Sequence, residues 1–173
     1  MDIPIKLNDE SVQTILEQMP EELFIQAVEN ISDEYLHIFF GFVEQSSTLR
    51  KIMIIFTFTN TNFQESMLQS LAANSGIEHI HLINIFQIHL SEAFFFSFQN
   101  VRTLILERFV LSVPVARFLK KWLLCPENHN IERFYGNYLS FLDFPKKEVT
   151  KEFCDFCTST DVSTVVHIHY VRN

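Results

Sequence analysis

The sequence predicts an α/β fold in which short parallel strands alternate with helices. Three observations predict it: the spacing apolar-x-x-apolar-x-apolar recurs five times, segments of helical period lie between the copies, and turn-forming residues mark the boundaries. The chain has 173 residues, the size of one domain, and its 47% hydrophobic content with 19 Phe, 3 Gly and 5 Pro is too apolar for disorder.

The spaced segments are Leu49-x-x-Ile52-x-Ile54, Ile77-x-x-Ile80-x-Leu82, Val101-x-x-Leu104-x-Leu106, Ile131-x-x-Phe134-x-Gly136 and Val165-x-x-Ile168-x-Tyr170. Their starts lie 28, 24, 30 and 34 residues apart, in or somewhat beyond the period of about 20–29 residues found in leucine-rich repeats. The expected fold class is therefore an irregular leucine-rich-repeat-like solenoid with parallel strands, preceded by a short N-terminal helical region. Strands are expected near 50–55, 78–83, 102–107, 132–136 and 166–170, in sequential neighbour order.

Helical period appears in the gaps at Phe63, Met67, Leu68 and Leu71, then at Leu90, Phe94, Phe95 and Phe98, then at Val115, Phe118, Leu119 and Trp122. Asn74-Ser75-Gly76, Gln99-Asn100 and Pro126-Glu127-Asn128 follow these segments as breakers. A doubly wound α/β domain is the alternative, since one sequence does not fix strand order. No Gly-x-Gly-x-x-Gly or phosphate loop exists to make it a nucleotide-binding one, because the glycines are Gly41, Gly76 and Gly136 alone.

Period two decides what each strand residue faces. The spaced apolar residues point to the helices, and the residues between them form the open, concave face. That face is expected to hold a column of Lys51, His79, Thr103, Arg133 and His167, a second of Met53, His81, Ile105, Tyr135 and His169, and a third of Ile55, Ile83, Glu107, Asn137 and Val171. Basic, aromatic and aliphatic groups so mixed suit a protein partner, and the first two columns are the candidate partner-binding residues.

Charge divides the chain. Residues 1–48 hold ten acids against one base, Lys6, a balance of −9, whereas the other 125 residues hold eleven acids and twelve bases, a balance of +1. An acidic first third argues against nucleic-acid binding there, because phosphate contacts need a basic face. The first residues lack the basic start and apolar run of a secretory signal. The most apolar stretches, 52–58 and 80–98, are too short to span a bilayer or are interrupted by His81, Gln87, His89 and Glu92. With three cysteines, an odd number, the expectation is a soluble intracellular protein, cytoplasmic or nuclear, without a membrane partner.

Cys154-x-x-Cys157 and His167-x-His169 could supply a tetrahedral zinc set. The spacing is wrong in both halves, with nine residues between the pairs and His-x-His in place of a wider gap. No metal or other cofactor is expected, and the two cysteines are read as core residues of a helix. His79-x-His81 and His167-x-His169 each put two imidazoles on one strand face, a metal edge or proton-transfer pair in principle and tolerated polar groups in the plainer reading. No Ser-His-Asp, Cys-His or paired-carboxylate pattern and no glycine elbow is present, so no enzyme activity is expected.

Residues 7–23 read as two amphipathic helical stretches joined at Pro20. Asp9 caps the first, whose apolar face is Val12, Ile15, Leu16 and Met19, and Pro20 starts the second with Glu21 and Glu22 in its first turn. Such a helical region can cap the end of a repeat core. The stretch also resembles an F-box: Leu7, Glu10, Val12, Ile15, Leu16, Met19, Pro20, Glu22 and Leu23 fall on the positions of that family's pattern. Asn8 stands where the family has Pro, Ser11 stands at an apolar position, and the family's later Val-Cys and Trp are not recognisable around 29–35.

A second resemblance lies downstream. Phe98-Gln99-Asn100-Val101-Arg102-Thr103-Leu104-Ile105-Leu106, Phe118-Leu119-Lys120-Lys121-Trp122-Leu123 and residues 128–134 are similar to the nematode F-box-associated repeat region. The resemblances imply an F-box-like region over 1–45 that docks on the Skp-type linker of a cullin-based ubiquitin ligase through Leu7, Val12, Ile15, Leu16, Met19 and Leu23. They imply a repeat module over 46–173 that recruits an unknown substrate protein. The alternative is a protein-interaction module with no ligase connection.

Overall fold

A computed structural model of the chain describes residues 3–27, 31–56, 61–83, 98, 100–108, 110–111, 113–125, 127, 130–141 and 165–170. The strands are β1 (Ile5–Lys6), β2 (Glu22–Ala27), β3 (Lys51–Phe56), β4 (His79–Ile83), β5 (Thr103–Glu107), β6 (Val110–Leu111), β7 (Arg133–Phe141) and β8 (Val165–Tyr170). The helices are α1 (Asp9–Gln18), α2 (Asp33–Gln45), α3 (Thr61–Ala73) and α4 (Val113–Leu123). The fold is α/β with a parallel, open sheet.

Strands β1, β2, β3, β4, β5, β7 and β8 lie side by side in that order, every pair parallel, and β6 pairs with the far end of β7 at Ser140 and Phe141. The segment from Ile77 lies between those from Leu49 and Val101, as the repeat spacing requires. The reversal of strand order that defines a doubly wound sheet does not occur among the described strands.

Strands β3, β4, β5 and β7 begin in the same way. The carbonyl of Glu21 accepts from the amides of Arg50 and Lys51 at 2.8 and 3.1 Å, and that of Arg50 from Glu78 and His79 at 2.8 and 3.1 Å. The carbonyl of Glu78 accepts from Arg102 and Thr103 at 2.8 and 3.0 Å, and that of Arg102 from Glu132 and Arg133 at 2.8 and 3.0 Å. The apolar residue just before each such site, Leu49, Ile77, Val101 or Ile131, is buried. Pro20-x-x-Leu23-x-Ile25 keeps the same spacing 29 residues before Leu49, with a half-buried Pro20 in the leading place.

Alternate strand residues enter one core. Leu23, Ile25 and Ala27, then Ile52, Ile54 and Phe56, then Ile80 and Leu82, then Leu104 and Leu106 are buried, while the residues between them are not. The helices supply the other side of that core: Val12 and Ile15 from α1, Phe39, Phe42 and Val43 from α2, Phe63, Met67, Leu68 and Leu71 from α3, and Leu119, Trp122 and Leu123 from α4. Phe63 links the layers, with its ring 5.4 Å from that of Phe40 and edge-on to Phe56 at 6.1 Å. No helix among the described residues is long and apolar enough to cross a membrane.

The N-terminal region departs from expectation. Only the first of the two helical stretches forms, and Leu23 lies on β2, which pairs with β3 over six positions. The sheet therefore runs through the expected boundary at residue 45. Pro20 followed by Glu21 and Glu22 favours a helix start as readily as a strand start; what decides is Leu23-x-Ile25-x-Ala27, a period of two, burying those three side chains against the helices. Helix α1 stops at Met19, whose φ of 47° and ψ of 56° turn the chain into the left-handed region, and Pro20 then forbids its continuation.

Asn8, not Asp9, caps α1. Its side-chain oxygen accepts from the Ser11 amide at 2.8 Å, and its own amide donates to Ser11 Oγ at 2.8 Å. Asp9 instead accepts from Ser32 at the start of α2, from the amide at 3.0 Å and the hydroxyl at 3.2 Å.

Asn74 holds a more demanding junction. It is 8% exposed, and its amide nitrogen donates to the carbonyls of Val43 at 2.6 Å and Ser46 at 3.0 Å, two of the acceptors left over at the end of α2. Its oxygen accepts from the Gly76 amide at 2.7 Å. A Cβ on Gly76 would sit 2.9 Å from Arg50 Nη1 and 3.1 Å from Asn74 Oδ1, so a side chain there would displace the Arg50 and Asn74 groups that meet at this turn.

Asn74→Ala should therefore cost about 2–4 kcal/mol, because it strands buried carbonyls, whereas Asn8→Ala at an exposed cap should cost about 1 kcal/mol. Urea unfolding of both variants checks the order. Equal losses would contradict the assigned role of Asn74.

Candidate functional site

The strand face turned away from the helices is the candidate site, and register assembles it in rows across the sheet. The leading row is Glu22, Lys51, His79, Thr103, Arg133 and Val165. The second is Phe24, Met53, His81, Ile105, Tyr135 and His167, and the third is Gln26, Ile55, Ile83, Glu107, Asn137 and His169. Side chains are described as far as Tyr135. Glu22, Lys51, His79 and Arg133 are exposed, and the described members of the second and third rows are half-buried.

Lys51, Met53, His79, His81, Thr103, Ile105, Arg133 and Tyr135 share this face in the expected columns. The last strand differs. Val165, not His167, pairs with Arg133; His167 pairs with Tyr135 and His169 with Asn137, a shift of one row. Alternating apolar sequence such as Val165-Val166-His167-Ile168-His169-Tyr170 fixes which face a residue takes but tolerates a slip of two residues, so the spacing placed the strand on the right face in the wrong register.

Glu22, Phe24 and Gln26 extend the face by one strand that the helical reading of this stretch hid. The signal was present as Pro20-x-x-Leu23-x-Ile25. A second feature marks the edge of the sheet. The residues just ahead of the leading row are Glu21, Arg50, Glu78, Arg102 and Glu132, alternating in sign from strand to strand. Arg102 bridges its two neighbours, 3.6 Å from Glu78 and 3.8 Å from Glu132, while Arg50 donates to the carbonyls of Gly76 at 3.0 Å and Ser47 at 3.2 Å. Arg50, Gly76, Glu78, Arg102 and Glu132 line a polar groove of about 560 Å³ along this edge.

Two side-chain pairs lie on the face, one ionic and one a hydrogen bond to a carboxylate. Lys51 Nζ is 2.8 Å from Glu22 Oε2, and this hydrogen bond and the lysine charge hold the Glu22 carboxyl below its usual range. His81 Nε2 is 3.3 Å from Glu107 Oε2, with side chains 17% and 23% exposed. Burial lowers the His81 pKa, with the carboxylate working in the opposite direction. An ionised carboxylate only accepts, so the neutral ring carries its proton on Nε2 and donates to Glu107. Among the described residues no group of three or more His, Cys, Asp or Glu is placed to hold a metal. Cys154 and Cys157 lie outside the described residues, as does Val171.

The six residues matched to the F-box docking pattern do not form a surface. Leu7, Val12, Ile15 and Leu23 are buried, Leu16 is partly buried against the same core, and Met19 is exposed. Asn8 and Ser11, where the sequence departs from that pattern, are the two halves of the α1 capping box. No family model, curated protein or solved structure matches the chain.

The lowered pKa of His81 has a definite consequence for stability. The unfolded chain binds that proton more readily, so the stabilisation tied to the neutral ring is complete above its ordinary value of 6.5 and is lost as pH falls through the folded value. His81→Gln should remove part of the drop in urea midpoint between about pH 7.5 and about pH 5.5. A variant with the wild-type pH slope would contradict the assignment.

Proposed function

We propose that the chain is a leucine-rich-repeat-like solenoid module that binds another protein across the open face of its sheet, without catalytic activity. The observation that carries the reading is the register: Phe24, Met53, Ile55, Ile83, Ile105 and Tyr135 form a half-buried apolar band over five adjacent strands, with a polar leading row beside it. A central aromatic and aliphatic band with a polar rim is the anatomy of a protein-binding surface. The identical start of successive strands and their sequential order support the solenoid.

The adaptor form of this proposal adds docking on a Skp-type linker, which would make the module a substrate-recruiting part of a cullin-based ubiquitin ligase. It rests on the resemblance of residues 7–23. Of its six contact residues only Met19 is freely exposed in the folded chain, so the module without a ligase connection is the reading the geometry supports best.

Affinity capture with quantitative mass spectrometry tests the docking face. Proteins retained by the wild type should be lost from Ile105→Asp and kept by Glu44→Lys, an exposed change on α2; equal retention by all three would contradict a docking role for the sheet. For the ligase connection, purified Skp-type linker should not be retained by the folded wild type. Ile15→Asp should unfold the chain rather than merely weaken a contact, because a buried unpaired charge costs several kcal/mol, up to about the whole stability of a domain. A folded Ile15→Asp chain, or firm retention of the linker, would favour the adaptor.

A further inference from the structure

Resting on the docking face proposed above, we infer that its occupant is an amphipathic α-helix of the partner, with its apolar side on the second and third rows and a carboxylate against Arg133. The charges left over on the face point to the carboxylate. Both described acids there have partners, Glu22 in Lys51 at 2.8 Å and Glu107 in Arg108 at 4.0 Å, with a hydrogen bond from neutral His81 at 3.3 Å. Arg133 is exposed and forms no ion pair among the described residues. Its neighbours in the leading row are Thr103 and Val165, neither of them charged, so nothing beside it in the row neutralises it. A guanidinium bordering an apolar band is a site for a planar carboxylate, which it can meet with two parallel hydrogen bonds.

Geometry favours a helix over an extended segment. The backbone groups of a sheet are spent in its plane, so a strand laid on the face would leave its own amides and carbonyls unpaired against apolar side chains, whereas a helix satisfies its own. From Phe24 to Tyr135 the band crosses four strand intervals, or about 19 Å, which about 13 residues of helix span. The net charge of −8 repels a strongly acidic partner. One well-placed carboxylate fits better than an acidic run, and a nucleic acid does not fit.

The test is selection of randomised helical peptides of about 16 residues, displayed against the full chain, with affinities then measured by fluorescence anisotropy. Expected are peptides carrying Asp or Glu at a fixed offset from an apolar stripe, helical by circular dichroism when bound. They should bind Arg133→Glu about tenfold more weakly, Arg133→Gln to an intermediate degree, and Ile105→Asp not at all. Replacing the peptide's acid by Lys should restore binding to Arg133→Glu. Met53→Asp replaces Ile105→Asp if the latter does not melt like the wild type. Peptides lost on Ile105→Asp but indifferent to Arg133→Glu, or bound in a non-helical form, would overturn this inference and leave the docking face standing. Recovery of no binder, or only of binders indifferent to Ile105→Asp, would overturn both.

Discussion

The structure depends on the pairing at the leading edge of the sheet. There, the carbonyls of Glu21, Arg50, Glu78 and Arg102 each accept two successive amides of the next strand's start, and the residue carrying that carbonyl alternates in charge across the sheet, with Glu132 next in the series. Apolar alternation resists a one-residue slip, which would turn the core face to water, but it permits a slip of two. A two-residue slip between β4 and β5 would part Arg102 from Glu78 and leave the arginine opposite an apolar or neutral position. These exposed ion pairs each contribute about 0–1 kcal/mol, so their value lies in choosing among registers that the core cannot tell apart.

From this constraint the open face follows. Parallel strands in sequential order place their inward residues in one core beneath α1, α2, α3 and α4, and the outward residues then line up in rows without a gap. The half-buried band and its polar rim are thus a product of register, and the residues on it can vary without disturbing the core. A charged residue such as Arg133 costs little on that face because its head stays in water, and an aromatic such as Tyr135 is half-buried there.

How much of this was legible in the sequence depends on the residue pattern at each place. The strands from Leu49, Ile77, Val101 and Ile131 were legible because apolar spacing, helical gaps and breakers agree there. The strand from Val165 was placed on the correct face and misplaced in register; by pairing, the position ahead of Val165 is Thr164, so the charge that marks the leading edge elsewhere is missing. The strand over Glu22–Ala27 was hidden because Pro20-Glu21-Glu22 satisfies the rules for a helix start and matches a family pattern that expects a helix. Two competing local signals were present, and only the tertiary burial of Leu23, Ile25 and Ala27 decides between them. The pairing of His81 with Glu107 was not legible, since it joins residues 26 apart in sequence through strand register.

The N-terminal residues carry the main consequence for function. If they form a separate helical unit, the apolar groups of α1 are free to meet a partner; if they are the first repeat, those groups are the end of the core and binding passes to the sheet. Asn8 and Ser11 belong to the second arrangement, because together they close the helix start that a proline and an apolar residue would leave open. Nuclear Overhauser contacts in solution test this most directly. Parallel cross-strand contacts joining Glu22, Phe24 and Gln26 to Lys51, Met53 and Ile55 are expected. Helical contacts between residues three apart across 21–27, with no link to β3, would contradict the continuous sheet and the face built on it.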